Sequence, residues 1–167
     1  MRKQKGFSLI ELLIVVAIIL IIAAIAIPNL MRARIAANES SAASQVRTIN
    51  SAEVSYVAAY PSAGYSTLAN LGGGTVPCVP ASGNACLIDN TLATDNGGAG
   101  KSGYHFKAAV GGTGNSQYTA AGYPINTGST GNNSFCSIED AVVRKDTSGA
   151  DNSAAHDTCG ALPSLGN

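Results

Sequence analysis

The chain has 167 residues with ten basic and ten acidic side chains, so its formal net charge is zero. This length suits one domain with an appendage, and beyond residue 6 there is no clustered basic patch of the kind that tight nucleic-acid binding requires. The balance is uneven along the chain: residues 1–6 (MRKQKG) carry three positive charges, and 18 of the 19 glycines lie beyond Tyr60.

From Phe7 to Met31 the one charged residue is Glu11, and Leu12 to Ile27 is an apolar run of sixteen residues. With the preceding FSLIE, the run approaches the ~20 residues that a helix needs to cross a ~30 Å hydrocarbon core. Arg2, Lys3 and Lys5 stand before it, which puts the N-terminus in the cytoplasm and the bulk of the chain outside. A removable secretory signal competes with this reading, because Ala24-Ile25-Ala26 has the A-x-A form of a cleavage site. Against that stand the length of the run and the charge of Glu11 at its start. A core helix would leave the three preceding cations unexplained.

Pro28 removes one backbone donor and crowds the carbonyl of Ala24, so a kink or weakened turn is expected there. Asn29 to Tyr60 contains no glycine or proline, and Ile35, Ala42, Val46, Ile49, Tyr56 and Tyr60 recur mostly three or four apart. The pattern predicts a helix from about Phe7 to Tyr60, roughly 80 Å long at 1.5 Å per residue. Pro61 and Gly64 end it, and residues 61–102 read as a long irregular connection. Gly103–Val110, Gln117–Tyr123, Ser134–Ile138 and Ala141–Lys145 are candidate strands separated by turn-forming residues. The fold class expected is α+β: a long helix whose second half packs on a small antiparallel sheet of three to four strands. The segments are 1–6, 7–31 and 32–167, the last divided into helix continuation 32–60, loop 61–102, and sheet with C-terminal loop 103–167.

The cysteines are Cys78, Cys86, Cys136 and Cys159, all on the side expected to be exported. An even number in such a domain points to two disulfides, and four cysteines admit three connectivities. Zinc is disfavoured, since there is no C-x-x-C and there are two histidines in all. GGAGKS, Gly97 to Ser102, is superficially like a phosphate-binding loop, but Asp95 stands where that motif needs its first glycine. His105 and His156 have no nucleophile or metal motif around them, and Asn38-Glu39-Ser40 and Asn132-Asn133-Ser134 match glycosylation acceptors at the level of chance. No catalytic site, metal or cofactor is expected.

KGFSLIELLIVVAIILIIAAIAIP, from Lys5 to Pro28, resembles the N-terminal signature of type IV pilins and of the related type II secretion pseudopilins. The resemblance implies cleavage after Gly6 by a prepilin peptidase and N-methylation of the new terminus, Phe7. It makes Glu11 the fifth residue of the mature chain, with a role in filament assembly, and puts Pro28 where many members have a proline. It also favours Cys136–Cys159, tying the tail to a strand, and leaves Cys78–Cys86 to close the loop between them. Losing residues 1–6 leaves ten acidic against seven basic residues, near −3. The function implied is a type IV pilus subunit, held in the inner membrane by its N-terminal helix until assembly machinery lifts it out, and then polymerised with copies of itself into an extracellular filament. A type II secretion pseudopilin, with a calcium-stabilised loop in the acidic tail, is the alternative within the family. A membrane-anchored exported binding domain that never polymerises is the alternative outside it.

Overall fold

The computed structural model describes residues 7–74, 77–95, 98–154 and 156–166. In chain order the elements are α1 (Leu9–Ala59), the one-turn helices α2 (Leu68–Leu71) and α3 (Asn90–Ala93), the strands β1 (Tyr104–Gly111), β2 (Gln117–Pro124), β3 (Ser134–Ser137) and β4 (Arg144–Asp146), and α4 (His156–Ala161). The strands form one antiparallel sheet in the order β1-β2-β3-β4. This is an α+β fold of a long helix and a four-stranded sheet. The chain divides into two compact units, one ending at Arg34 and one beginning at Ile35.

In the first unit α1 is a single exposed helical segment. Leu, Ile, Val and Ala fill most of it, with no charge between Glu11 and Arg32, and the helix continues through Pro28. The missing donor of Pro28 removes one bond of the ladder and the flanking apolar residues carry the helix past it.

In the second unit the helix buries Ala42, Val46, Ile49, Glu53 and Tyr56, a stripe spaced four, three, four and three residues apart. Against it pack Tyr104 and Phe106 of β1, Tyr118 of β2 and Phe135 of β3. Gly122 on β2 permits this approach: a Cβ there would stand 2.8 Å from the Phe106 ring and 3.5 Å from Val46. A second, smaller cluster joins Ala121, Cys136 and Cys159 with Ile138 and Leu162, so α4 has an apolar anchorage of its own on β2 and β3.

Three details depart from the sequence reading. Residues 61–102 hold two helical turns, because Leu68, Leu71 and Leu92 are buried and the Asp89 carboxylate caps α3 by accepting the Leu92 N–H at 3.0 Å. The last strand begins at Arg144, not Ala141: Ala141 has φ +57°, and Asp140 accepts the Val142 N–H at 3.0 Å, so the chain turns before it extends. The C-terminal region contains α4, where buried Cys159 compensates for a polar local sequence.

The core also contains polar groups. Asn50 donates to Ser137 Oγ at 2.9 Å and to the Ala141 carbonyl at 3.3 Å, and accepts from the Tyr118 hydroxyl at 3.1 Å. Glu53 is fully buried: one carboxylate oxygen accepts the Ser66 N–H at 3.0 Å and the other has no partner among the described residues. Burial pushes this acid up from 4.5 to about 7, and the Ser66 bond offsets only part of the rise.

Candidate functional site

The N-terminal turn of α1 gathers the chemically distinctive residues. Ser8 precedes the first helical residue, and its N–H donates to Glu11 Oε2 at 2.9 Å. The Ser8 carbonyl accepts from Glu11 and Leu12 at 3.1 and 3.3 Å. This is the backward half of a capping box, with the N3 carboxylate satisfying the N–H of the capping residue. The S-x-x-E pattern of Ser8 to Glu11 is the sequence signal for it, one that the apolar run and the lone charge of Glu11 do not convey. A negative charge at this position also sits favourably at the positive end of the helix dipole.

From Leu12 to Ile27 the side chains form an apolar surface on which Leu20 and Ile25 are each more than half exposed, and before it Phe7 is 84% exposed. The helix contains an eighteen-residue window of mean hydropathy 3.3, none of it buried, which is long and apolar enough to cross a membrane. Pro28 lies within the helix near the end of this surface. Gly6 and the basic residues before it, named in the sequence reading, lie outside the described residues.

The other candidates are placed elsewhere in the second unit. Cys78 is bonded to Cys86 with Cα atoms 6.1 Å apart, and Cys136 to Cys159 with Cα atoms 6.0 Å apart. In the GGAGKS stretch Gly97 lies outside the described residues, while Lys101 is paired with Asp89 at 2.7 Å. Asp95 is buried and accepts N–H bonds from Gly100, at 2.9 Å, and from Phe106, so it fastens this loop to β1. His105 lies 3.3 Å from Asp95, and His156 lies 2.9 Å from Glu139 and 3.2 Å from Asp157. In the acidic tail Asp146 bonds Ser148 and Asn152, and Asp151 bonds Lys107 and Ser153. Among the described residues no three acidic, histidine or cysteine side chains are grouped to hold a metal.

Residues 1–27 match the family model of the prokaryotic N-terminal methylation motif. The N-terminal segment carries this motif and is similar to the same part of type IV pilins. Forty residues are 65% identical to the type IV wide pilus major component PilA4 of Thermus thermophilus, covering 24% of this pilin-like chain and 30% of that protein. Fifty-four residues are 44% identical to the type IV major pilin protein PilA of Myxococcus xanthus, covering 32% of this chain and 24% of the relative. The match thus spans less than a third of the length of either relative, and no solved structure matches. Pilin likeness is carried by the N-terminal part, where Phe7, Ser8 and Glu11 stand at the head of the exposed apolar helix.

Proposed function

We propose that this chain is the structural subunit of a type IV pilus filament. The observation that carries the reading is an unbroken apolar helical surface headed by one carboxylate, in a chain whose first 27 residues match the methylation motif. Such a surface is stable in lipid or against copies of itself. A prepilin peptidase cuts between Gly6 and Phe7, the Phe7 amine is methylated, and residues 7–31 hold the subunit in the inner membrane with residues 32–167 outside. Assembly machinery then moves the helix from lipid into the filament core.

Cleavage places a cationic amine at Phe7, one turn before Glu11. In an apolar filament core each group needs a counter-charge. The Glu11 carboxylate of one subunit takes the amine of its neighbour, and this pairing sets the axial position at which a subunit docks. Methylation keeps the amine able to carry its charge. Intact-mass analysis of sheared surface filaments tests the reading: a methylated chain of 161 residues beginning at Phe7 is expected. A mature N-terminus at Ile27, after the A-x-A site, would overturn it.

A further inference from the structure

Strand β1 is the outer strand of the sheet, and its free edge is used unevenly along its length. Ile125 N–H donates to the Gly103 carbonyl, so the odd-numbered positions of β1 turn their backbone groups toward β2. The even-numbered positions turn theirs outward. Tyr104 exchanges both of its bonds with Lys101, at 2.8 and 3.0 Å, and the Phe106 N–H is taken by Asp95. At Ala108 and Val110 this internal protection ends: their N–H and C=O groups have no partner among the described residues.

These unused groups border a cleft. One part, about 550 Å³, is lined by Val110, Tyr65, Ser66, Thr67 and Asn115 among others; a second, about 230 Å³, is lined by Ala108, Thr67, Leu68 and Ala69. Thr67 borders both parts, and no charged side chain lines either. α2 lies beside the edge at Ala108, through Leu68 and Ala69, but the strand itself lacks the devices that usually blunt a free edge. Ala108 to Gly111 contains no lysine or proline, and the pairing with β2 runs without a bulge to Gly111 opposite Gln117.

We propose that the Ala108–Val110 edge and the cleft beside it bind an extended, uncharged polypeptide segment of another protein by strand addition. Backbone N–H and C=O groups that recur at every second residue, about 6.8 Å apart, match the backbone of another strand. The neutral lining selects small uncharged side chains, which lose little solvation on entering it. An incoming strand of three or four residues satisfies the four outward groups of Ala108 and Val110.

The test uses the full-length chain in detergent micelles, labelled for amide NMR, with a capped octapeptide of alternating alanine and threonine as probe. The Ala108 and Val110 amides are expected to shift on titration, and their hydrogen exchange is expected to slow by at least ~10-fold near saturation. The same peptide N-methylated at every internal amide is expected to leave both unchanged. Thr67→Trp, at an exposed position, fills the cleft and is expected to weaken binding by at least ~10-fold while the amides of β2 and β3 keep their shifts. Failure of the probe to move the Ala108 and Val110 amides at millimolar concentration overturns the proposal. So does equal binding of the N-methylated peptide, or perturbation confined to β4. Shifts at these two amides that follow protein concentration without peptide would assign the edge to a second copy of the chain, and would overturn the choice of partner.

Discussion

Glu11 and Glu53 are both carboxylates on α1, and their surroundings lead to different predictions. Glu11 has two candidate tasks, capping its own helix through the Ser8 N–H and neutralising a neighbour's amine. Glutamine also completes a capping box but carries no charge, so Glu11→Gln separates the two. Breaking a buried pair leaves the remaining charge uncompensated at roughly 3–5 kcal/mol per contact. Both Glu11→Gln and Glu11→Ala are therefore expected to spare membrane insertion and nearly abolish surface filaments, measured as membrane-bound against sheared material. Normal filament yield with glutamine would reduce Glu11 to a helix cap. At Glu53 the folded acid lies at about 7 against an ordinary 4.5, with burial as the cause. Its contribution to stability is fully present below the unfolded value and is lost as pH rises through the folded one, by on the order of 3 kcal/mol. Glu53→Gln should flatten that dependence between pH 5 and 8, read from denaturant midpoints at each pH; an unchanged slope would refute the assignment.

Among the elements, α4 and the 61–102 connection owe their positions to covalent and capping restraints more than to helix propensity. Cys159 joins α4 to β3 through Cys136 across a sequence separation of 23, whereas Cys78 and Cys86 are separated by 8. In the chain-entropy account the longer loop restrains the unfolded chain more, about 3.4 kcal/mol against about 2.5. Replacing Cys136 and Cys159 together by serine should therefore lower stability more than replacing the other pair, and also opens the small apolar cluster of Ala121, Ile138 and Leu162. Urea unfolding of the two double variants gives the order; a reversed order would show that native packing outweighs loop entropy here.

For the molecule as a whole, the titrating groups point in two directions. Glu53 is raised by burial and His156 by its hydrogen bond to Glu139, so both contributions fade as pH rises. The Arg144 bond lowers Asp140 and the Asn152 bond lowers Asp146, so theirs fade as pH falls through the depressed values. Stability should therefore peak at mildly acidic pH. Thermal unfolding is expected near its highest Tm at about pH 5, with Tm roughly 10 °C lower at pH 8 and a further fall below about pH 3. Scanning calorimetry across that range checks the shape; a maximum at pH 8 would contradict it.

The sequence by itself determined the long helix, its apolar first half, the stripe from Ala42 to Tyr56 and three of the four strands closely. Each of these is written in local periodicity or in a run of one residue class, and the fourth strand was found with its start misplaced by the Ala141 turn. The Ser8–Glu11 capping box was also legible, as four adjacent residues. Only the tertiary structure decided that Glu53 is buried: by spacing it falls on the stripe between Ile49 and Tyr56, but by residue type it reads as a solvated charge. Its burial depends on Ser66, thirteen residues further on, donating to it from the turn after the helix. The same holds for α4, anchored by a cysteine 23 residues away, and for the unused Ala108–Val110 part of the β1 edge, which follows from the strand order and from where Lys101 and Asp95 pair with it. Local pattern fixes which elements form, because it sets the faces they must hide; which polar groups end up paired, buried or exposed depends on partners brought together by folding from distant parts of the chain.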